Sequence, residues 1–487
     1  MSKAKYITTT LPYVNDEPHI GHALEFIQAD TLARYWRLMD HEVFFNTGTD
    51  EHGQKIWQKA NEKGQDVKEY VDHFAARFKQ LNEKTFGLSF DAFIRTTDEH
   101  HIKAAQHIWK LCAEAGDIYK KKYSGLYCVG CESFKVESDL VDGKCPDHPN
   151  QEPQQIEEEN YFFALSKYQD YLEEYLSKEG VIEPEWRRLE ALKFVQGGLE
   201  DFSISREKER MNWGVPVPGD EEQVMYVWFD ALTNYISTLG WPEDSEGKFK
   251  QFWAEGETLQ VAGKDQVRFQ SIMWQAMLKS AGVKATDKIF YHGFINSGGQ
   301  KMSKSIGNVI SPFDMVERYG LEATRYILLR HVHPTEDSDI TWEKMDEWYT
   351  AGLVNGLGNL TARIMKMAET HLAEPVLLSE VDKSELWHTL KDYMNFQIEM
   401  DTLWISNIES HPGVGAVDEY IQKTEPYKLI KESPEEAKEI IKKLVVYLNS
   451  IALRLEPFMP KTSETIIESI KSNKNISKNW LDQSKSS

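Results

Sequence analysis

The sequence has few cysteines and no long uncharged apolar stretch. It contains 4 cysteines among 487 residues, too few for the disulfide framework that stabilises small secreted domains. No segment approaches the run of about eighteen apolar residues that a membrane-spanning helix needs. The opening segment 1–10 also lacks the apolar core of a signal peptide. These absences predict a cytoplasmic globular protein, and its length predicts two or three domains.

Basic residues are scarce relative to acidic ones. The chain has 56 Lys and Arg against 78 Asp and Glu, for a net charge of −22. Because phosphate contacts need Lys and Arg, this balance argues against a general nucleic-acid binder. A local basic groove is still compatible with this balance, because net charge bears on solubility more directly than on the charge of any one binding site.

The sequence does have a short motif, Pro-His-Ile-Gly-His-Ala, at 18–23. It follows a strand-like run and begins an amphipathic helix, where free N–H groups and the helix dipole favour a phosphate. His19 and His22 lie on one face of the first turn and can donate hydrogen bonds to a nucleotide. Gly21 between them leaves room for close approach of a ligand.

A second motif, Lys-Met-Ser-Lys-Ser, occupies 301–305. Gly298, Gly299 and Gly307 flank it and predict a flexible loop. Such a loop can close so that Lys301 and Lys304 stabilise the charge that develops when pyrophosphate leaves ATP. The two motifs together predict adenylation chemistry.

Three of the four cysteines have the spacing of metal ligands. Cys128, Cys131, Cys145 and His148 form two pairs of donors, the arrangement of a closed tetrahedral zinc site. Because all four positions are filled, the predicted Zn²⁺ is structural and stabilises its own segment of chain.

Asp50 and a set of aromatic residues are candidates for substrate contacts. Asp50 follows a strand, where open α/β sheets place their ligand contacts, and a carboxylate there can hold an ammonium. A turn or helix-capping role is the alternative. Aromatic residues near the ends of later strand–helix units can line an apolar pocket or simply fill the core: Trp228, Tyr235, Phe269 and Trp274.

The last third of the chain has helical patterns in place of strand signals. Long helices are predicted over 353–372, 384–408 and 433–455. Asn359 and Arg363 lie on one face of the first, and an Asn–Arg pair can read unstacked RNA bases with help from an aromatic such as Tyr427. A surface polar pair is the alternative.

The fold predicted from these signals is α/β, with a split Rossmann-like parallel sheet, an inserted zinc-knuckle connective domain and an all-α C-terminal bundle. An apolar run from Tyr6, an amphipathic helix and the run 41–46 open the sheet. Further strands come from segments 223–228, 258–262 and 288–295. The predicted boundaries are 1–118 and 219–341 for the catalytic halves, 119–218 for the insertion and 342–487 for the bundle.

These motifs, with Thr-Leu-Pro-Tyr at 10–13, Tyr-Val-Trp-Phe-Asp-Ala at 226–231 and Gly-Lys-Asp at 263–265, resemble class I aminoacyl-tRNA synthetases. Within that class the chain is most similar to the methionyl-tRNA synthetase family, over nearly its whole length. The resemblance implies ATP with Mg²⁺, methionine and tRNA(Met) as partners. It also implies structural Zn²⁺ and a monomer.

The resemblance assigns roles to individual residues. Asp50 would hold the substrate ammonium, aided by the backbone of Leu11, and Asp265 would lie near the ribose. The ATP phosphates would meet His19, Gly21, His22, Lys301 and Lys304, and the anticodon would meet Asn359, Arg363 and Tyr427. The methionine pocket would comprise Tyr13, Trp228, Ala231, Leu232, Tyr235, Phe269, Gln270 and Trp274.

Two positions depart from the family pattern. Gln270 stands where a histidine is usual, and Tyr427 stands where a tryptophan usually stacks on an anticodon base. Two kinds of alternative remain open at this stage. One is another class I synthetase, chiefly the cysteinyl type; the other is a tRNA-independent nucleotidyltransferase or a tRNA-binding protein without catalysis.

Overall fold

The computed structural model describes residues 4–128, 133–135, 139–146, 152–302, 307–379, 381, 386–387, 390, 396–405, 408 and 412–476. The chain divides into two compact units. The first comprises Met1–Pro18, His41–Lys84 and Ser89–Tyr291, and the second comprises His19–Asp40, Thr85–Leu88 and His292–Ser487.

The described strands are short, and most lie in the first unit. They are β1 (Lys5–Thr9), β2 (Val43–Thr49), β3 (Ala92–Arg95), β4 (Ile118–Cys128), β5 (Ser133–Lys135), β6 (Gln154–Phe163), β7 (Ile182–Glu183), β8 (Phe202–Ser203), β9 (Ser205–Glu207), β10 (Pro216–Val217), β11 (Asp220–Met225), β12 (Glu257–Gly263), β13 (Lys288–His292), β14 (Ile295–Ser297), β15 (Gln300–Lys301) and β16 (Ser338–Asp339).

Helices alternate with strands in the first part of the chain and dominate the second. They are α1 (Ile20–Leu38), α2 (Gln54–Glu62), α3 (Val67–Gln80), α4 (Glu99–Glu114), α5 (Gln169–Ser177), α6 (Glu185–Gln196), α7 (Val227–Ala231), α8 (Asn234–Ser237), α9 (Trp274–Ser280), α10 (Pro312–Tyr319), α11 (Leu321–Arg330), α12 (Trp342–Trp348), α13 (Asn359–His371), α14 (Phe396–Ile405), α15 (Val414–Thr424), α16 (Pro426–Leu429), α17 (Pro434–Leu455) and α18 (Pro460–Ser472). Short 3₁₀ turns cover Leu165–Tyr168 and Lys264–Gln266, and π-helical segments cover Leu81–Thr85, Phe249–Ala254, Phe269–Met273 and Tyr349–Gly358.

The main sheet of the first unit has six strands in the order β3-β2-β1-β12-β13-β7. The pairs β1–β2, β1–β12, β2–β3 and β13–β7 are parallel. Central strands of such a sheet read as continuous apolar runs because both faces are covered, and β12 follows this rule with buried Leu259, Val261 and Ala262. The Rossmann-like parallel sheet predicted from the sequence is therefore confirmed.

One predicted strand of that sheet belongs elsewhere. Residues 220–225 form β11, which pairs antiparallel with β9 and β10 in a separate three-stranded sheet. The reason is the connection from β10, where Pro218 and Gly219 make a tight turn and Gly219 has φ +81°. A turn this short joins antiparallel neighbours, whereas parallel neighbours need a long crossover. The prediction that this segment extends the parallel sheet was wrong.

The middle of the chain forms a four-stranded sheet in the order β5-β4-β6-β8. Its main pair, β4 with β6, is antiparallel and runs from Ile118 opposite Phe163 to Tyr127 opposite Gln154. Within the predicted insertion 119–218, the two residues of β7 also join the edge of the six-stranded sheet. The domain boundaries themselves stay a prediction.

The second unit is mostly helical and contains a buried ion pair. The guanidinium of Arg325 on α11 donates to the carboxylate of Asp30 on α1 at 2.6 Å and to the carbonyls of Pro457 and Phe458. Both charged side chains are fully buried. Replacement of one partner by a neutral residue would therefore leave an unpaired buried charge and destabilise the fold. The pair therefore ties α1 and α11 to the turn between α17 and α18.

The helical character predicted for the end of the chain is confirmed in α13 to α18. Of the predicted helix 384–408, α14 covers Phe396–Ile405, and 384–385, 388–389, 391–395 and 406–407 lie outside the described residues. The predicted helix 433–455 matches α17. Across the described ranges, no helix has both the length and the apolarity that crossing a bilayer requires.

Candidate functional site

Asp50 lies at the carboxyl end of β2, as predicted, and its backbone is held on both sides. Its N–H donates to the carbonyl of Pro12 at 3.0 Å, and its carbonyl accepts from the N–H of Val14 at 3.0 Å. These bonds form an isolated parallel bridge between Asp50 and Tyr13. The residue is only 4% exposed. A carboxylate in such a place favours a cationic partner, because burial without one is costly.

Three half-buried aromatic side chains gather in the same unit. Tyr13, Trp228 and Phe269 pack against a small apolar cluster formed by Tyr226, Val227 and Met273. The rings of Trp228 and Phe269 stack with centroids 4.0 Å apart and planes 13° apart. Tyr13 thus links the Asp50 bridge to a flat aromatic wall suited to an apolar ligand.

A buried polar layer lies beside these aromatics. Gln270 is fully buried, and its Nε2 donates to the hydroxyl oxygen of Tyr235 at 2.6 Å. The Tyr235 ring lies 5.9 Å from that of Trp274, centroid to centroid. The Oε1 atom of Gln270 and the Nε1 atom of Trp274 are buried without a hydrogen-bond partner among the described residues. A polar group buried in this way needs a partner that the protein does not supply, such as a water molecule or a ligand.

The other predicted pocket residues lie in the same unit. Ala231 and Leu232 are buried at the end of α7. Leu11 is half-buried immediately before Pro12, whose carbonyl accepts from Asp50. Asp265 is exposed in the turn after β12 and accepts a hydrogen bond from Gln266.

A buried hydrogen-bond network that no sequence pattern predicted lies next to these residues in the chain. The carboxylate of Asp230, on α7, accepts from His52 Nδ1 at 3.1 Å and from His101 Nε2 at 3.2 Å. Asp230 lies between Trp228 and Ala231, and His52 lies two residues after Asp50. No spacing rule links positions so far apart in sequence; the available signal was an Asp inside an otherwise apolar helix.

His19 and His22 form the N-terminal cap of α1 in the second unit. His19 is the N-cap residue, and its Nδ1 accepts from the N–H of Gly21 at 3.1 Å. His22 Nδ1 accepts from the N–H of His19 at 3.2 Å, which completes a capping box. The two rings stack with centroids 3.8 Å apart. A Cβ on Gly21 would come within 3.0 Å of the His19 ring, so glycine leaves that ring in place.

Lys301 lies in a β-hairpin of the second unit. Strands β14 and β15 pair antiparallel, with Asn296 opposite Lys301. Gly298 and Gly299 form the turn with φ +65° and +74°, which other residues rarely adopt. Lys301 is exposed, and its Nζ lies 5.6 Å above the Phe294 ring. Lys304, the second lysine of the motif, lies outside the described residues.

Two of the four predicted zinc ligands can be described. Cys128 ends β4, and both Cys128 and Cys145 are buried, with exposures of 2% and 0%. Cys131 and His148 lie outside the described residues. Within the described ranges, no group of three or more His, Cys, Asp or Glu side chains is arranged to hold a metal.

The predicted RNA-reading residues lie in the helical unit. Asn359 is exposed at the start of α13, and Arg363 one turn later forms an ion pair with Asp418 on α15. Tyr427 is 46% exposed on α16, and its hydroxyl donates to Glu425 Oε1 at 3.2 Å. An exposed aromatic face and a planar cation are the groups that stack on unpaired bases.

Comparison with known proteins agrees with this geometry. A family model described as "tRNA synthetases class I (M)" matches residues 5–156 and 148–365. Another, described as "Anticodon binding domain of methionyl tRNA ligase", matches residues 411–487.

Individual relatives match over almost the whole chain. A methionine–tRNA ligase of Caldanaerobacter subterraneus subsp. tengcongensis is 41% identical over 479 residues, which cover 96% of this chain and 74% of that protein. The enzyme of Brucella suis biovar 1 is 39% identical over 96% of this chain and 92% of its own length. Among solved structures, Mycobacterium tuberculosis methionyl-tRNA synthetase in complex with methionyl-adenylate superimposes with a TM-score of 0.87 at 35% identity, covering 96% of this chain and 93% of that one.

The parallel sheet, the two motifs and these matches define a class I aminoacyl-tRNA synthetase. More narrowly, the chain belongs to the methionyl-tRNA synthetase family and is an ATP-dependent enzyme that joins methionine to tRNA. The family and the activity implied by the sequence are thereby confirmed. The matches do not favour the cysteinyl type or a tRNA-independent adenylating enzyme.

Proposed function

We propose that the enzyme works in two steps through the residues described above. Methionine carboxylate attacks the α-phosphorus of ATP, which gives methionyl-adenylate and releases pyrophosphate, and the aminoacyl group then passes to the terminal adenosine of tRNA(Met). The observation that carries this proposal is the buried Asp50, whose backbone forms a bridge with Tyr13, a residue that packs on the same apolar cluster as the stacked Trp228 and Phe269. A buried carboxylate near an apolar aromatic wall suits a ligand that has an ammonium group and an apolar side chain.

Pyrophosphate exchange across a panel of amino acids tests this proposal directly. We expect methionine to support the fastest exchange and cysteine, leucine and homocysteine to support slower exchange. Faster exchange with any other amino acid would overturn the proposed specificity. Exchange with methionine but no transfer to tRNA(Met) would overturn the second step alone.

Gln270 and Tyr235 are proposed to contact the methionine side chain. Their hydrogen bond of 2.6 Å fixes the carboxamide, and the partnerless Oε1 of Gln270 supports a ligand contact there. Ala231, Leu232 and Trp274 are proposed to complete the pocket. The backbone of Leu11 is proposed to aid Asp50 at the ammonium, and Asp265 to lie near the ribose.

Replacement of Gln270 by Ala should weaken methionine binding about ten- to a hundredfold, because the proposed contact of the carboxamide with the methionine side chain is lost and a cavity forms beside it. The affinity for ATP should stay within about twofold, since the residue is placed on the amino-acid side alone. Equilibrium titration with methionine and with ATP measures the two affinities separately. An unchanged methionine dissociation constant would place Gln270 outside the pocket.

His19, His22, Lys301 and Lys304 are proposed to act on the phosphates of ATP, which enters with Mg²⁺. The position of the two histidines at the N-terminus of a nineteen-residue helix supports this role, because anions are stabilised there. No general base is required. The residues contribute by orienting the phosphates and by stabilising charge as pyrophosphate departs.

Cys128, Cys131, Cys145 and His148 are proposed to hold one structural Zn²⁺. Burial of the two described thiols fits such a site, since closed zinc sites exclude water from their sulfur ligands. When bound, the ion would cross-link the chain locally. Metal analysis of the purified protein should find about one zinc per chain, and a Cys128→Ser variant should contain markedly less.

The helical unit is proposed to bind the anticodon through Asn359, Arg363 and Tyr427. Replacement of Tyr427 by Ala should cost about 1–3 kcal/mol of tRNA affinity, because one base loses its stacking partner. Methionine-dependent pyrophosphate exchange without tRNA should be unchanged, which separates this effect from misfolding. A Tyr427→Phe variant keeps the stacking face and serves as the control. Equal losses in both variants would point to the hydroxyl and its bond to Glu425 instead.

A further inference from the structure

The carboxylate of Asp230 joins two histidines from distant parts of the first unit. Its Oδ2 lies 3.1 Å from His52 Nδ1, and its Oδ1 lies 3.2 Å from His101 Nε2. The other nitrogen of His101, Nδ1, lies 2.9 Å from the hydroxyl of Ser237. All four side chains are buried. Because a carboxylate only accepts hydrogen bonds, both imidazoles must donate to it.

The charge of this group follows from its surroundings. Burial acts to raise the pKa of Asp230, but His52 and His101 outweigh it and hold that pKa below its usual range. The side chain is therefore an anion at neutral pH and accepts both bonds at full strength.

The hydrogen bonds of Asp230 with His52 and with His101 connect it to different parts of the first unit. His52 lies two residues after Asp50, and Asp230 lies on α7 between Trp228 and Ala231, so this bond joins the proposed ammonium contact to the proposed apolar wall. The bond from His101 leads instead to α4, on which no proposed substrate contact lies.

The segment 50–52 is anchored on its other side by Glu51. Its carboxylate accepts from Arg95 at 2.6 and 2.8 Å and from the hydroxyl of Thr97 at 2.6 Å. The indole N–H of Trp213 donates to the Glu51 carbonyl at 2.5 Å. Thus Glu51 holds the segment to the end of β3, while His52 holds it to α7.

We propose that Asp230 and His52 are positioning residues for amino-acid binding: their hydrogen bond sets the distance between the Asp50 carboxylate and the wall formed by Trp228 and Phe269. This inference rests on the proposed function of Asp50 and the wall. A ligand held by its ammonium at one end and its side chain at the other is sensitive to that distance, and misplacement by about 1 Å can cost about a hundredfold in rate.

The test compares three variants of the full-length enzyme. His52→Ala removes the bond, and His52→Asn restores a donor at the position of Nδ1. His101→Leu removes the other bond to the same carboxylate and is the matched control. We measure methionine and ATP dissociation constants, thermal melting and pyrophosphate exchange for each.

We expect His52→Ala to raise the methionine dissociation constant about tenfold while the ATP constant stays within about twofold, and His52→Asn to return the methionine constant to within about threefold of the parent. His101→Leu should lower the melting temperature with little change in methionine affinity. If the His52→Ala variant does not fold, Asp230→Asn replaces it in the test, because Asn keeps the side-chain volume. The Asp230→Asn variant should show the same rise in the methionine dissociation constant.

Equal weakening of methionine binding by His52→Ala and His101→Leu would overturn the proposal, since the carboxylate would then act only on stability. No rescue by His52→Asn would overturn it as well. Failure of the proposed function gives a different result: the parent enzyme itself would show no methionine-dependent exchange.

Discussion

Replacement of His22 by Gln, or of His19 by Asn, should lower the rate of adenylate formation by about 10²- to 10³-fold while leaving the helix that carries them intact. The rate falls because each imidazole is a proposed hydrogen-bond donor to the phosphates, and loss of one donor to developing charge typically costs this much. The helix persists because Asn is a preferred N-cap residue and Gln at the third position completes a capping box. The two observed capping bonds, of 3.1 and 3.2 Å, can both be replaced in this way.

The capping geometry also determines which ring nitrogen carries the proton. In both histidines Nδ1 accepts a backbone hydrogen bond, so the proton of the neutral ring is on Nε2. Burial, and then the neighbouring His19 and His292, hold the pKa of His22 well below its usual value. His22 is therefore a neutral donor at pH 7, and its action on a phosphate requires no extra positive charge.

The measurement is single-turnover adenylate formation at saturating methionine and ATP, together with thermal melting. The alanine variants at both positions are the comparison, because they lose the cap as well, at a cost of about 1 kcal/mol. If the Gln and Asn variants react as fast as the parent while the alanine variants are slow, an imidazole is not required, because the cap or an amide NH2 donor is sufficient. The proposed role of the two imidazoles would then be wrong.

Local sequence patterns predicted individual strands and helices well where residues close in sequence determine the geometry. The apolar run of β12, the strand β2 ending at Asp50 and the long α17 all match their predicted places. The family could also be predicted, because residues such as His19 and His22 lie within short contiguous motifs. Each of these features depends on neighbours a few positions away.

Features that depend on distant partners could not be predicted in this way. The run 223–228 has the apolar content of a buried strand, but β11, which contains its first three residues, pairs with β10 through the Pro218–Gly219 turn and not with the parallel sheet. The bond between His52 and Asp230 spans 178 positions, and nothing in either local pattern indicates it. The capping role of the histidines was also missed, because imidazole is not among the usual N-cap side chains.

Replacement of Asp50 by Asn should weaken methionine binding by about 10²- to 10³-fold, the second large effect that the structure supports. The carboxylate is 4% exposed, and the proposed partner is the substrate ammonium, so the variant leaves a buried cation facing a neutral amide. Asn keeps the side-chain volume, and the bridge to Tyr13 is formed by the backbone of Asp50, so that bridge should persist in the variant.

Asp98→Asn is the matched control for this change. Asp98 follows the next strand, β3, and its carboxylate accepts from the N–H of Arg95 at 3.0 Å, so the substitution removes one negative charge close to the end of the same sheet. Methionine and ATP affinities should both stay within about twofold in this control. A methionine analogue without its α-amino group gives the decisive comparison, since it lacks the group that Asp50 is proposed to hold. It should bind the parent and the Asp50→Asn variant equally, and a large loss for this analogue too would show that Asp50 maintains the pocket instead of pairing with the ammonium.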